Sequence, residues 1–457
     1  MSSLSATLLN AANALQVYNR TFNVIENNVT NANTPGYVTQ NQSMIAEPFN
    51  PAAGISGGVM TGPMLSARSQ YLEQAVRTQQ EALGSSQQAA ASLGQLQPLF
   101  DTTGASGVPG ALNSFFNSVS QLSVSPNDMS SRQNVIAAAG QVASAFNQNA
   151  IGIQQASTNL NSETSGAIGD INQIAADIAA VNGQYSSNSA ATQDAGLDAR
   201  LSNDLESLSQ LVNYTAIQNS NGTYNIYVGG QTPLVMDSQA YKLSADFSQP
   251  QTAIRDCQGN DITAQLSDAG GSLGAMLVEK NTTLPGYMNS LNTLAAAFSD
   301  QVNTALSQGV DINGNAPAVN LFTYNAAQGA AFTMSVTAIT PDQIAAASAG
   351  APGGNGNAIA IAQMASQATM SGYTFTQAYG NLGAQVGQDV ATAQQNQTAQ
   401  QGLLSQATQA RANASGVDLN AEAAKLVQFQ QAYQAAGKLI GVIDSLGTTL
   451  MNMMSAT

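Results

Sequence analysis

The sequence predicts a mainly α-helical chain with a smaller β part, organised as discontinuous domains. Apolar residues recur three and four positions apart at both ends of the chain and through a long stretch of its first half. This spacing places them along one face of a helix. Between residues 214 and 243, short runs rich in Tyr, Ile and Val replace the helical pattern. These runs predict a small antiparallel β region in the middle of the chain.

The first helix is predicted from the N-terminus to about residue 33. It is expected to end at Asn33-Thr34-Pro35-Gly36, because a residue before proline avoids helical backbone angles and glycine favours a turn. From there to Pro63 the frequent Gly and Pro residues predict an extended connector, with room for a hairpin. The apolar stripe of this helix consists of Leu4, Leu8, Ala11, Leu15, Tyr18, Phe22, Ile25 and Val29.

Helices are expected to fill most of the remaining first half. The pattern returns at 66–96 and in a short helix from Leu112 to Leu122. The longest pattern runs from Val135 to Val181 with a period near 3.5, which is typical of helices packed side by side. It predicts one helix, or two with a break near Gly166 or Gly169. Leucines at 201–211 complete the helical half.

The second half begins with the β region and returns to helix. The runs 214–218 and 223–228 flank Asn219-Ser220-Asn221-Gly222, a hairpin signal, and 234–236 and 241–243 would extend the hairpin to a small sheet. The remaining predicted segments are a helix at 274–306, an irregular or β segment at 311–341, an Ala/Gly/Ser-rich connector at 344–356 and a helix that breaks at Ser415-Gly416.

The last helix repeats the pattern of the first. Its stripe consists of Leu426, Phe429, Tyr433, Ala436, Ile440, Ile443, Gly447, Leu450 and Met454. Exposed apolar stripes are unstable alone, so the two terminal helices are expected to pair with each other or with copies of themselves. Pairing within one chain makes the domains discontinuous, since the chain leaves through one helix and returns through the other.

Composition excludes several classes of function. The 457 residues include no His and a single Cys, which rules out Ser-His-Asp catalysis, His-ligated zinc and any intramolecular disulfide. The net charge of −15 argues against nucleic acid as a partner. Only 8% of residues are charged, so Asn, Gln, Ser and Thr must cover the surface, which suits packing against protein. Neither a membrane span nor a cleaved secretory signal is expected, because no apolar run is long enough and the first basic residue is Arg20.

No catalytic, cofactor or metal site is predicted. Gly54-Ile55-Ser56-Gly57-Gly58 matches a serine nucleophile pattern, but the histidine that it requires is absent. Asp311, Asn313 and Asn315 begin like a calcium loop whose later ligand positions are wrong. Cys257 lies in a polar stretch with no predicted role, and the carboxylates are scattered. An enzyme that relies on carboxylates in the β region stays a rival with no nominated residues.

Both ends of the chain carry motifs that resemble one family of proteins. NNVTNANTPGYVTQ, residues 27–40, is similar to the signature of flagellar rod, hook and hook-associated axial proteins. Residues 416–450, which include Gln431-Ala432-Tyr433-Gln434-Ala435, resemble the C-terminal motif of the same proteins. Four interior segments, 126–146, 170–185, 221–234 and 270–280, resemble hook-associated protein 1, the hook-filament junction family. Hook and distal-rod subunits are the nearest alternative, but they lack the long central helices.

The resemblance implies a structural role in the flagellum. It implies terminal helices paired in a coiled coil, self-assembly into a short ring between hook and filament, contacts with the hook protein and the next hook-associated protein, and export with a chaperone but without signal cleavage. The expected coiled-coil residues are Leu4, Leu8, Leu15, Phe22, Ile25 and Val29 against Leu426, Tyr433, Ile440, Ile443 and Leu450, with Asn33, Thr34, Pro35, Gly36 and Tyr37 forming the turn. A binding module borne on the flagellum is a further alternative.

The resemblance also divides the chain into domains. The predicted divisions are a terminal coiled-coil domain with connector at 1–65 and 416–457, a helical bundle at 66–213, 274–310 and 356–415, a small β region of that bundle at 214–273, and a minimal outer domain at 311–355. Only about twenty residues between Phe322 and Ile344 stand where many relatives have a large outer domain. That domain is therefore expected to be minimal or missing.

Overall fold

Long helices build most of the computed structural model, which describes residues 2–50, 55–104, 106–267 and 270–455. The first half consists of α1 (Ser2–Thr30), a hairpin of β1 (Gln40–Asn50) and β2 (Ile55–Ser66), α2 (Gln70–Gly94), α3 (Gly107–Val124), α4 (Met129–Ser187) and α5 (Ala195–Leu211). The connector after α1 is thus a hairpin, and the mainly helical prediction is confirmed.

The β region begins with a four-stranded antiparallel sheet in the order β3-β4-β5-β6. Its strands are β3 (Tyr214–Gln218), β4 (Tyr224–Val228), β5 (Thr232–Met236) and β6 (Gln239–Ala240), followed by a hairpin of β7 (Ser244–Asp246) and β8 (Ala253–Arg255). The predicted turn joins β3 to β4, where the Asn219 N–H donates to the Thr223 carbonyl at 2.8 Å. The last strand of the sheet lies at 239–240 and not at the predicted 241–243.

The second half returns to helix as predicted, with more interruptions. Its larger elements are α6 (Thr263–Ser267), α7 (Gly271–Val278), a π-turn (Glu279–Thr283), α8 (Leu284–Ser307), α10 (Gly356–Gln363), α11 (Phe375–Ser415) and α12 (Leu419–Ser455). Between α8 and α10 lie β9 (Gly309–Val310), which pairs with β12 (Ala347–Ser348), and β10 (Phe322–Thr323), which pairs with β11 (Ser335–Val336), around α9 (Ala330–Thr333).

The longest helix, α4, is continuous over 59 residues, or about 90 Å. Its start is fixed by the Asp128 carboxylate, which accepts the Ser131 N–H at 2.8 Å as an N-cap. Gly166 and Gly169, the predicted sites of a break, face open space and leave the helix intact. The helix is stable here because buried residues recur from Val135 to Tyr185 and pack against neighbouring elements along its whole length.

Two apolar cores lie along α4. The first core surrounds the N-terminal half of α4 and includes α3, α8, α10 and the N-terminal half of α11. At its centre Phe298 meets Phe115, Phe322 and Phe375 edge to face, with ring centroids 5.3 to 5.5 Å apart. The second core joins the C-terminal half of α4 to α5, α7 and the β strands.

The segment 311–355, assigned above to a minimal outer domain, places its apolar residues in the first core and not in a core of its own. Leu321, Phe322 and Met334 are buried there. The Ala/Gly/Ser-rich stretch 344–356, predicted to be a connector, starts with Ile344, Ala345 and Ala346, which are also buried in the first core.

Buried Arg132 on α4 holds this segment in place. Its guanidinium donates to the backbone carbonyls of Ile344 at 2.6 Å, Pro341 at 3.1 Å and Pro126 at 2.7 Å. Burial lowers the pKa of Arg132, which Asp311 and Asp342 partly oppose. Backbone carbonyls therefore take the place of a carboxylate partner for Arg132. They accept hydrogen bonds from its buried N–H groups, which would reduce the stability of the fold if they were left without acceptors.

Asparagines on helices hold neighbouring strands and loops. The Asn182 amide donates to the Tyr224 carbonyl at 2.7 Å and accepts the Tyr224 N–H at 2.9 Å. Asn303 forms the same two-point pair with Phe322, at 2.9 and 3.0 Å. Because a primary amide offers a donor and an acceptor side by side, it matches the N–H and carbonyl of one strand residue. These pairs connect helix to strand without charge, which suits a chain with few ion pairs.

Candidate assembly site

The two terminal helices pack against each other in antiparallel orientation. Tyr18 and Phe22 on α1 meet Phe429 and Tyr433 on α12, with ring centroids 6.0 Å apart in the pairs Tyr18–Phe429 and Phe22–Tyr433. At the other end of the pair, Gly447 lies against the side chain of Leu4. The apolar spacing found in both ends of the chain thus forms one intramolecular contact. The hairpin β1–β2 packs along another side of α1.

The predicted coiled-coil residues differ in burial. Ile25 and Ile443 are buried. Leu4, Leu15, Phe22, Tyr433 and Ile440 are half-buried between the helices. Four remain exposed, namely Leu8, Val29, Leu426 and Leu450. The structure also buries Ala11, Val17 and Thr21 of α1, of which only Ala11 belongs to the predicted stripe.

A second apolar stripe on α12 faces away from α1. It consists of Leu439, Val442, Leu446, Leu450 and Met453, spaced three and four apart, and we call it the outer stripe. Val442 is 57% exposed and Met453 is 60% exposed. A contiguous apolar row of this kind on a helix marks a protein interaction surface. Leu450, expected in the intramolecular pair, belongs to the outer stripe.

The motif at residues 27–40 is organised around buried Asn28. Its amide donates to the Gln40 carbonyl at 2.8 Å and to the Glu422 carboxylate at 3.2 Å, and its oxygen accepts the Gln40 N–H at 3.0 Å. The Tyr37 hydroxyl donates to the same oxygen at 2.9 Å. Burial and the charge of Glu422 raise the pKa of Tyr37 to about 12, so the hydroxyl keeps its proton at neutral pH. One asparagine thus ties α1, the turn, β1 and α12 together.

The predicted turn at 33–37 forms directly after α1. The Tyr37 N–H donates to the Thr34 carbonyl at 3.1 Å, and Gly36 has a φ of +74°, in the left-handed region. A Cβ at position 36 would overlap the backbone carbonyl oxygen of Ala199 on α5. Glycine is therefore required both by backbone conformation and by this close approach to the helical bundle.

Buried Glu73 on α2 holds two arginines from distant parts of the sequence. Its oxygens accept from the guanidinium of Arg68 at 2.8 Å and from that of Arg411, near the end of α11, at 3.1 Å. The Ser202 hydroxyl of α5 donates to the same carboxylate at 3.3 Å. We call these four residues the junction network, because they lie where the connector, the bundle and α11 meet.

Each arginine of the junction network has further partners. Arg68 donates to the Asp198 carboxylate at 2.9 Å and to the Gly36 carbonyl at 2.7 Å. Arg411 donates to the Glu206 carboxylate at 2.6 Å. The network therefore fixes the turn after α1 onto the bundle. Basic residues are rare in this chain, which has 11 of them. The positions of Arg68 after the connector and of Arg411 near the end of a long helix were therefore the sequence signal for this network.

The loop between α11 and α12 is held by the start of the hairpin. The Thr39 N–H donates to the Ser415 carbonyl at 2.9 Å, and its hydroxyl donates to the Gly416 carbonyl at 2.7 Å. The Ser415 hydroxyl donates to the Ala67 carbonyl at 2.9 Å. Both chain crossings between the terminal pair and the bundle therefore run side by side and are bonded to each other.

The other sequence features form no site among the described residues. Asp311 accepts the N–H groups of Asn313 and Asn315 at 2.8 Å each, so its carboxylate is used within its own loop. Cys257 is exposed. Gly54 of the serine-nucleophile pattern lies outside the described residues. The described part of the chain contains no group of three or more metal-ligating side chains and no helix that is long and apolar enough to cross a membrane.

Replacing Gly36 with alanine is expected to destabilise the docking of the turn on α5 by about 2 kcal/mol, because a Cβ adds both strain and an overlap. Hydrogen exchange of residues 31–40 and limited proteolysis of the connector measure it. Gly166→Ala is the control, since position 166 faces open space inside a helix and is expected to be neutral or slightly stabilising. Equal exchange rates in both variants would contradict the role of Gly36.

Together, the long bundle, the paired terminal helices and the outer stripe define a helical subunit that associates with other protein. Residues 93–322, half of the chain, match the family model described as the helical domain of flagellar hook-associated protein FlgK. The chain belongs to the FlgK family of flagellar hook-associated proteins. It is accordingly a structural component of the bacterial flagellum, which confirms the family resemblance seen in its motifs.

Individual relatives agree with this assignment over most of their length. Flagellar hook-associated protein 1 of Bacillus subtilis (strain 168) is 26% identical over 508 aligned positions, with 99% of each chain covered. The protein of the same name from Escherichia coli (strain K12) is 23% identical and covers 98% of this chain. The flagellar hook junction protein FlgK from Burkholderia pseudomallei shares the fold, with a TM-score of 0.67 at 17% identity over 74% of this chain and 99% of that chain.

Proposed function

We propose that copies of this chain form a short ring that joins the flagellar hook to the filament. The observation that carries the proposal is the outer stripe of α12, five apolar residues that the chain's own fold leaves uncovered. Membership of the hook-associated family, and the hook junction protein among the structures that share this fold, support this location.

The assembly is proposed to be head to tail. A contact between two different surfaces, repeated around an axis, builds a ring or tube and not a closed dimer. The outer stripe, at residues 439–453 of α12, is one such surface, and it is proposed to pack against a neighbouring copy. Partners are copies of the chain, the hook protein on one side and the next hook-associated protein on the other. The coiled-coil pair formed by α1 and α12 is proposed to be the inner, assembling domain.

The proposed domain division follows the two cores and the junction network. The terminal pair with its hairpin, 1–65 and 416–457, joins the bundle through the connectors and through contacts that the junction network holds. The bundle, at 66–213, 274–310 and 356–415, contains most of the first core, and the β region at 214–273 contributes to the second core. Segment 311–355 is proposed to be the remnant of an outer domain, because only about twenty residues lie between Phe322 and Ile344 and its apolar residues complete the first core.

Export is proposed to follow the family route, through the flagellar secretion channel without signal cleavage and with a dedicated chaperone. Family membership supports this proposal. The role is proposed to be purely structural. The absence of histidine from the sequence and the use of Asp311 within its own loop support that proposal.

Deletion of the gene is expected to leave hooks without filaments, with monomeric flagellin released into the medium. The physical reason is that flagellin subunits have no surface to add to when the junction is missing. Electron microscopy of the cell surface and an assay for flagellin in the culture medium measure both effects, and restoring the gene is the control. Loss of hooks would instead indicate a hook or rod subunit, and intact filaments would refute the axial role.

A further inference from the structure

A polar seam separates the two apolar cores. Along α4 the first core ends at Ala167 and the second begins at Ile168, and α7 contributes Met276 to the first core but Leu273 and Leu277 to the second. Polar side chains are buried at this crossing, and we call the set of Thr164, Glu279 and Lys280 the polar seam. Two packed cores with polar groups between them are less firmly joined than one continuous core, because buried polar groups contribute stability only when they are fully bonded.

The side chains of three consecutive residues in the π-turn at 279–283 point to three different parts of the structure. Lys280 donates from its ammonium to the Ser157 hydroxyl of α4 at 2.5 Å. Asn281 forms a two-point pair with the backbone of Thr252, at 2.9 and 2.8 Å, beside the second core. Glu279 points between α2 and α4. A π-turn inside a helix often marks a functional position, and here it is the link between the two cores.

Glu279 has no hydrogen-bond partner for either carboxylate oxygen among the described residues, and it is 4% exposed. It borders a small cavity of about 10 Å³ with Ser92, Asn159 and Glu163. That volume is roughly the space that one water molecule needs. Burial raises the pKa of Glu279 to about 8, and the charge of Glu163 adds to this shift. The Ser92 hydroxyl has the opposite effect and lowers the pKa of Glu279, but it makes no hydrogen bond of normal geometry with the carboxylate.

We propose that Glu279 is a proton-binding site that latches the polar seam. With the proton bound, the neutral carboxyl stays between α2 and α4 and the two cores move as one body. When the proton leaves, an ionised carboxylate without hydrogen-bond partners cannot remain in this buried position, so the π-turn moves toward water and the cores become mobile relative to each other. This inference rests on the fold and is independent of the proposed flagellar function.

The titratable groups around Glu279 destabilise its ionised form or are held by other partners. Glu163 faces it from α4 and repels its ionised form, while the Glu163 carboxylate itself accepts from Gln88 of α2 at 2.8 Å. Tyr287 faces it from α8, and its hydroxyl donates to Asp389 of α11 at 2.6 Å. Lys280 is next in sequence, but its ammonium is held on Ser157. No described cation is therefore placed to stabilise an ionised Glu279.

The raised pKa of Glu279 determines how the stability of the folded chain depends on pH. The folded chain holds the Glu279 proton more tightly than the unfolded chain, whose carboxyl has the ordinary pKa near 4.5. The stability linked to this group is therefore fully present below about pH 4.5 and is lost as the pH rises to about 8. At pH 6 Glu279 is protonated and the two cores move as one body, and at pH 9 it is ionised and the cores move relative to each other.

Spin-label distances in the full-length chain test the proposal. Exposed Cys257, beside the second core, takes one label, and Ser120→Cys on the exposed side of α3 takes the other. In this labelled parent we expect a narrow distance distribution at pH 6 and a broader or displaced one at pH 9. With Glu279→Gln added, we expect the narrow distribution at both pH values, because the amide is neutral and nearly isosteric. Thermal unfolding should show Glu279→Gln more stable than the parent by an amount that grows from pH 5 to pH 8.

Three further variants sharpen the test. Exposed Glu26→Gln on α1 removes one carboxylate far from the polar seam and is expected to respond to pH like the parent. Glu163→Gln removes the facing negative charge that raises the pKa of Glu279, so it should move the opening to a lower pH. Glu279→Met replaces Glu279→Gln if the amide variant does not fold, with the same expected result. An unchanged distance in the parent between pH 6 and pH 9, or a pH response in Glu279→Gln equal to that of the parent, overturns the proposal.

Discussion

Replacing Val442 with aspartate is expected to prevent assembly while leaving the isolated chain folded. Val442 lies in the middle of the outer stripe and is 57% exposed, so the charge is solvated in the monomer. In an assembled ring the same carboxylate would be buried against an apolar partner, at a cost of about 2 to 4 kcal/mol per contact. That cost corresponds to a contact roughly 30 to 1,000 times weaker, and a ring multiplies it over all its subunits.

Complementation of a deletion strain measures this effect, together with circular dichroism and thermal unfolding of the purified chain. Val442→Asp should show normal unfolding but no filaments and released flagellin. Thr448→Asp is the matched control, because it adds the same charge to an exposed position on the other side of α12 and should retain filaments. Ile443→Asp provides the contrast, since it places the charge in the buried contact with α1 and should loosen the terminal pair itself. Normal motility of Val442→Asp would rule out the outer stripe as an assembly surface.

This contrast also shows what the apolar pattern of a sequence can and cannot predict. Spacing of three and four identified both terminal helices, and two residues of the predicted stripes, Ile25 and Ile443, are buried in the structure. It could not assign a partner to each residue, because α12 carries two adjacent stripes with the same spacing. Leu450 belongs to the outer stripe although the pattern placed it in the intramolecular pair. The angle between stripes depends on the partner helix, which a pattern in one segment does not contain.

Buried polar residues were the main features that the sequence did not reveal. Asn28 is completely buried, yet in an Asn-rich chain it looks like any surface residue. Its burial is tolerated because the turn and β1 satisfy its amide, and those partners are defined only once the chain is folded. Glu73 and Arg411 meet across 338 positions of sequence, so no local motif could indicate that they form one network.

Small residues misled the prediction in the opposite direction. Ala345 and Ala346 belong to a stretch whose composition suggested a connector, but alanine also allows backbones to pack closely, and both residues are buried in the first core. Ile344 before them was the signal for burial. The β hairpin at 214–228 was predictable because its turn residues and its strand residues are adjacent in sequence, which makes the evidence local.

Replacing Glu73 with alanine is expected to destabilise the chain by about 3 kcal/mol. Glu73 is buried and is shared by Arg68 and Arg411, so its removal leaves two guanidinium groups without their common partner in a partly buried place. The loss is less than for a fully isolated pair, because Arg68 keeps Asp198 and Arg411 keeps Glu206. Chemical denaturation gives the free energy of unfolding, and hydrogen exchange shows whether protection is lost first where α11 meets the connector.

The matched control is Glu206→Ala, which removes a more exposed partner of the same Arg411 and should cost about 1 kcal/mol or less. The double variant Glu73→Ala, Arg411→Ala should be more stable than the sum of the two single changes predicts, by about 1 to 3 kcal/mol, because the second change removes one of the charges that the first leaves unpaired. Additive effects would mean that Glu73 and Arg411 do not interact. A cost for Glu73→Ala no larger than for Glu206→Ala would mean that the junction network does not hold the terminal pair onto the bundle.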